Sequence, residues 1–137
     1  MNYRTSKIVG ISLAVAAIAM AGGLALNAQP PAAVKRNIVL KQDMTIPDRE
    51  AVMVMVELPP GSAEGKHSHP AEVYAFVQEG TISLENEGVP TVTLKAGDVF
   101  HIAPGKVHQA INNGTVTAKL AAVFVAEKGK PLTTPVK

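Results

Sequence analysis

From Ile38 onward the chain is cut into short β-branched and apolar runs by turn residues, and no stretch keeps the i, i+3, i+4, i+7 apolar spacing that a helix needs to bury one face. The runs are Ile38 to Leu40, Val52 to Leu58, Val73 to Val77, Thr81 to Leu84, Thr91 to Leu94, Val99 to Ala103, Gln109 to Ile111 and Val116 to Ala126. Between them stand Pro59-Pro60-Gly61, Glu79-Gly80, Asn86-Glu87-Gly88, Ala96-Gly97-Asp98, Pro104-Gly105 and Asn113-Gly114. Turn signals every 8–12 residues or so point to an all-β sandwich or small barrel.

The 137 residues make about one domain. The first 28 read as a targeting segment. Arg4 and Lys7 precede an uninterrupted weakly polar run from Ile8 to Leu26, then Asn27-Ala28 and the Pro-rich Gln29 to Ala33. This is the order of an export signal, and the run is also close to the roughly 20 residues of a membrane span. Two outcomes follow: a signal peptide cleaved near Ala28, or an uncleaved anchor formed by residues 8–26. Ala and Gly dominate the run, which favours cleavage, because insertion free energy per residue is then modest. Either outcome places the domain outside the cytoplasm, periplasmic or secreted, and membrane contact is expected only with the anchor.

Apart from Arg4 and Lys7, the chain carries 11 basic and 11 acidic side chains. A neutral domain with scattered charges and only Tyr74, Phe76, Phe100 and Phe124 as aromatics lacks the basic clusters and stacking platforms of nucleic-acid binding. The whole chain is 47% hydrophobic, and the mature part buries enough to fold, yet it is small and has no cysteine to cross-link it. A homodimer is therefore expected.

Chemistry falls to the histidines. His67 and His69 are two apart, so on an extended segment both rings project from one face. His108 follows Pro104-Gly105 by three residues, and a turn there can fold its strand back beside the pair. Alone, this spacing fits either ligands of a metal or hydrogen-bonded imidazoles. The surrounding residues add to it. Gly61 to Gly80, GSAEGKHSHPAEVYAFVQEG, resembles the first conserved motif of the cupin superfamily through Gly61, His67, His69 and Gly80. Gly97 to Asn112, GDVFHIAPGKVHQAIN, resembles the second through Gly97, Gly105, His108 and Asn112. The likeness runs from about Val52 to Val125, and the ending Val125 to Leu132 is similar to that of small exported single-domain cupins.

The resemblance implies a single small cupin-type, jelly-roll-like β-barrel over 38–127, preceded by the signal or anchor segment 1–28 and a linker 29–37 and followed by a surface tail 128–137. It implies a divalent transition metal, Fe, Mn, Zn, Ni or Cu, held by His67, His69 and His108 in the barrel mouth. It also implies a small-molecule ligand, with oxygenase or isomerase activity on a small oxygenated compound. A non-catalytic binding or sensing module, with or without metal, is the alternative. Two residues depart from the motifs. Val73 occupies the slot of the family's carboxylate ligand and the acid, Glu72, comes one residue early, which on a strand turns it to the opposite face unless a bulge intervenes. Glu72 is thus an optional fourth metal ligand. Ala103 replaces the second motif's first proline, while Pro104-Gly105 still supplies a turn.

The remaining residues have plainer readings. His101 is expected to be hydrogen-bonded or exposed, with a fourth metal nitrogen as its other role. Tyr74 and Phe76 are expected in the core or a dimer contact, Met53 and Met55 as core filler, and Asn112 as the brace of a turn. Glu64, Gln78 and Glu85 are further pocket candidates. No nucleophile set or phosphate loop is present, which leaves hydrolase and nucleotide chemistry without support.

Overall fold

The computed structural model describes residues 30–137, and the expected leader lies outside them. Ten strands follow in order: β1 (Lys35–Asp43), β2 (Arg49–Leu58), β3 (His67–Ser68), β4 (Ala71–Glu79), β5 (Thr81–Asn86), β6 (Val92–Lys95), β7 (Val99–Ile102), β8 (His108–Ile111), β9 (Ala118–Glu127) and β10 (Thr134–Pro135). Among the described residues there is no helix, and so none long and apolar enough to cross a membrane. The strands form two five-stranded sheets, ordered β1-β2-β9-β4-β7 and β10-β3-β8-β5-β6, with antiparallel neighbours throughout.

Alternation fixes the core. Along β2, Val52, Val54, Val56 and Leu58 are buried while the residues between them are half-buried, and β9 repeats this with Ala118, Leu120, Ala122, Phe124 and Ala126. The β-branched valines suit the pleated backbone. Ile82, Leu84 and Ala110 of the second sheet join the same cluster, so a single core lies between the sheets. Each fully buried Val or Leu is worth roughly 1.5–3 kcal/mol. Gly80 sits where the chain leaves the first sheet for the second. Its φ is +75°, and a Cβ there would stand 2.9 Å from Ala118 Cα, so only glycine fits.

Two expectations are corrected here. Met53 and Met55 are not core filler: they lie half-buried on the outer face of β2, opposite in phase to the buried valines. Tyr74 and Phe76 likewise stand on the outer face of β4, 54% and 43% exposed, which removes their core role. The surface tail is tied to the barrel, because Thr134 and Pro135 pair with Ser68 and His67 and Val136 N–H donates to Lys66 O. In addition, β1 takes in Lys35 to Asn37 from the stretch read as linker.

Candidate metal centre

The three histidines come together through two local devices. Around β3 the backbone is extended, so His67 and His69 are both buried while Ser68 between them turns away. His108 opens β8 as the cross-strand partner of His67. The turn before it closes with Lys106 N–H donating to Ala103 O at 3.2 Å, and Gly105 takes the left-handed φ of +77°. Gly105 N–H then donates to His69 O at 2.8 Å, which ties the second motif's turn to the first motif's backbone. Asn112, fully buried, braces the far side: its Nδ2 donates to Leu58 O (2.7 Å) and Val116 O (2.8 Å), and its Oδ1 accepts from Gly114 N–H (2.8 Å).

Ring centroids lie 4.7 Å apart for His67 and His69, 4.4 Å for His67 and His108, and 4.9 Å for His69 and His108. One ring nitrogen from each falls within 4.8 Å of the others. The hydrogen bonds fix the tautomers, since a carbonyl can only accept. His67 Nδ1–H donates to Gly65 O (2.7 Å), His69 Nδ1–H to Leu132 O (2.6 Å) and His108 Nδ1–H to Lys106 O (3.0 Å). Each Nε2 is left with its lone pair, the arrangement in which backbone acceptors orient metal-ligating imidazoles. Phe124 packs edge-on against His69 with centroids 4.9 Å apart. Burial pushes the His69 imidazole down to about 4, with the positive ends of His67, His108 and Arg36 acting the same way against the Leu132 carbonyl. Burial also lowers His108. Neutral imidazole is the ligating form.

This donor set fits a divalent transition metal. Two nitrogens bound at about 2.1 Å stand about 3.0 Å apart at a right angle and about 3.4 Å apart at the tetrahedral angle, so a pair within 4.8 Å closes on an ion through side-chain rotations that move each ring by less than about an ångström. The three rings form one wall of a cavity of about 230 Å³, otherwise lined by apolar side chains such as Val73, Phe100, Phe124 and Leu132, with Arg36, Glu64 and Thr133 as its other polar groups.

Glu72 is corrected as a fourth ligand. It lies on the outer face of β4, where it pairs with His101 Nε2, while Val73 turns inward to the cavity. No bulge interrupts the pairing of β4 with β9 at this point, so the parity of the strand holds. His101 is equally remote from the triad and stacks on Tyr74 with centroids 4.9 Å apart. Of the pocket candidates, Glu64 lines the cavity, Glu85 bonds Gln109 Nε2 at 2.7 Å in a separate depression, and Gln78 borders the outer face of the first sheet. Arg36 and the Leu132 carbonyl went unread in the sequence. Arg36 had no motif around it, and a backbone acceptor leaves no side-chain signature.

Fold and site together define a small double-sheet β-barrel with a three-histidine cluster able to hold a metal ion in its interior. The chain belongs to the cupin family: residues 54–124 match the Cupin domain. It is 36% identical over 89 residues to germin-like protein subfamily 2 member 1 of Arabidopsis thaliana, covering 59% of this chain and 41% of that protein. The chain thus spans about two-fifths of that curated relative. Among solved structures it resembles a conserved protein with a double-stranded β-helix domain from Klebsiella pneumoniae, at 25% identity and a TM-score of 0.62, covering 74% of this chain and 84% of the other. It also resembles an oxalate oxidase in complex with the substrate analogue glycolate, at 24% identity and a TM-score of 0.58, covering 63% and 46%.

Proposed function

We propose that this chain is an exported metal-binding cupin in which His67, His69 and His108 hold one divalent transition metal and present it to a small oxygenated molecule, as an oxygenase or isomerase. The convergence of three Nδ1-tethered, buried imidazoles on one cavity carries the reading. A bound divalent ion supplies Lewis acidity and open coordination positions. The protein's part is to keep three neutral nitrogens aimed together, to exclude water with Val73, Ile102 and Phe124, and to admit only a small ligand. The glycolate held by the oxalate oxidase of the same fold supports that ligand class. Without a carboxylate in the set, the site has one negative charge fewer, so it should hold Fe(II) or Mn(II) less tightly and accept Zn(II), Ni(II) or Cu(II) more readily.

One observation favours the non-catalytic reading as the alternative. Among the described residues the cavity's one carboxylate, Glu64, is already engaged by Arg36 and by Ala110 N–H, which leaves no free carboxylate there as general base. Oxygen uptake by Fe(II)-loaded protein across a panel of thiols and diketones decides between the two. Turnover with any member supports the oxygenase, and a silent panel favours the binding module over the oxygenase.

We also propose that two copies pair through the outer face of the first sheet. Tyr74, Phe76 and Val99 form an exposed apolar patch with Met53, and Glu72, Glu79, His101 and Lys119 place both signs of charge around it. A two-fold contact uses the same patch twice, so one self-complementary face suffices. Light scattering should give a dimer, and Phe76→Glu a monomer; a wild-type monomer contradicts the pairing.

A further inference from the structure

Arg36 is the strongest unassigned feature of the cavity. It lies on edge strand β1 opposite Val56, and Ile38 lies opposite Val54. Both partners are buried, so Arg36 and Ile38 face inward, and both line the cavity with the three histidines. An inward charge on an edge strand can guard the edge against pairing with another chain, but that needs no particular partner. Here the partner is specific: Arg36 Nη2 donates to Glu64 Oε1 at 3.3 Å, and Glu64 is held from behind, its Oε2 accepting Ala110 N–H at 3.3 Å. The Glu64 side chain is only 11% exposed, the Arg36 side chain 46%.

The pair uses little of the guanidinium. A guanidinium carries five N–H donors in a fork that matches a carboxylate two at a time. The contact with Glu64 is single and long, and Arg36 makes no other side-chain hydrogen bond among the described residues. Charge points the same way. The three imidazoles are buried and Arg36 and Glu64 cancel, so a divalent ion would leave two positive charges uncompensated between apolar walls. An anionic ligand removes that imbalance; a neutral one does not. At about 230 Å³ the cavity lies below the roughly 300–1,000 Å³ of sites for drug-sized ligands, which suits a short acid.

We infer that Arg36 is a carboxylate anchor: the ligand of this cavity is a short-chain carboxylate whose carboxylate takes the free edge of the guanidinium while its other end reaches the histidine cluster. The second half rests on the metal reading above; the first depends only on Arg36 and Glu64. Glu64 acts as the built-in competitor that keeps the guanidinium oriented until the ligand arrives.

The test is calorimetric titration of the full chain with glycolate, lactate, 2-oxobutyrate and succinate, each beside its neutral amide, for wild type, Arg36→Gln, Arg36→Lys and Glu64→Gln. Metal content is measured on every sample. Wild type should prefer at least one acid over its amide. Arg36→Gln should weaken that acid by about tenfold or more, the loss of one charged hydrogen-bonded pair, and leave the amide unchanged. Arg36→Lys should restore part of the affinity, and Glu64→Gln should strengthen it several-fold by freeing the guanidinium. The opposite signs matter, because a pair that only ties β1 to the Glu64 segment would weaken binding equally from either side. No acid preferred over its amide, or Arg36→Gln within twofold of wild type, overturns the anchor. Metal-free samples overturn the metal reading instead, and the Arg36 comparison still stands on its own.

Discussion

Removing the last six residues, Leu132 to Lys137, should damage the metal centre far more than the fold. His69 Nδ1–H donates to Leu132 O at 2.6 Å, and Thr133 Oγ1 stands 3.3 Å from the same nitrogen. The truncation takes away both oxygens and the Leu132 wall, and leaves the buried imidazole free to rotate or to exchange tautomer. Loss of such an outer partner costs about 10–100-fold in metal affinity, or roughly 1.4–2.7 kcal/mol. Leaving one buried donor unpaired costs about 1–3 kcal/mol, the same range. Water entering through the gap can satisfy part of the donor, which places the expected loss nearer the lower end. Global stability should change little, because β10 contributes only two paired residues and none of the tail belongs to the fully buried core. Competition of the truncated and full-length proteins against a chelator for Zn(II), with thermal melts of both metal-free forms alongside, separates the two effects. Equal zinc affinity, or a loss of affinity no larger than expected from a collapse in Tm, refutes the role given to the Leu132 carbonyl.

Acid should destabilise the metal-free protein. The folded pKa of His69, about 4, lies below the ordinary 6.5, so the unfolded chain binds the extra proton and stability falls as pH drops through that window. The fall should reach about 3 kcal/mol by pH 4, and His108 adds to it in the same direction. Urea melts in the presence of a chelator from pH 8 to 4 check this, and a flat profile contradicts it. Asn112→Ala should cost roughly 2–4 kcal/mol, since it strands the Leu58 and Val116 carbonyls, and should lower Tm by about 10 °C or more. Glu72→Gln should leave metal stoichiometry unchanged, because that carboxylate faces out toward His101; metal analysis of the purified variant decides it.

Much of this architecture could be read from the chain because strands declare themselves through β-branched runs and turns through Gly and Pro. Each of the eight apolar runs overlaps a strand. The histidines were legible for the same reason: a two-residue spacing on extended backbone leaves little choice of face. Which face of an apolar strand turns inward was less legible. In Val52 to Val56 both phases are apolar, so only the register with β9 tells valine from methionine. The two-residue strands β3 and β10 are too short for any alternation to show. The tail's contact with His69 joins residues 63 positions apart through a backbone oxygen, and no side-chain pattern encodes that. Glu72 was decided by parity alone, and the β4–β9 register, regular from Ala71 to Val77, kept that parity intact.

The central claim is that three imidazoles from two distant segments grip one ion, and metal stoichiometry by elemental analysis of untagged protein tests it most directly. Wild type incubated with Fe, Mn, Zn, Ni or Cu and then desalted should retain one ion per chain of at least one of these metals, and His108→Ala should retain well under a tenth as much. Wild type holding no metal above background, or His108→Ala holding one ion per chain, contradicts the account.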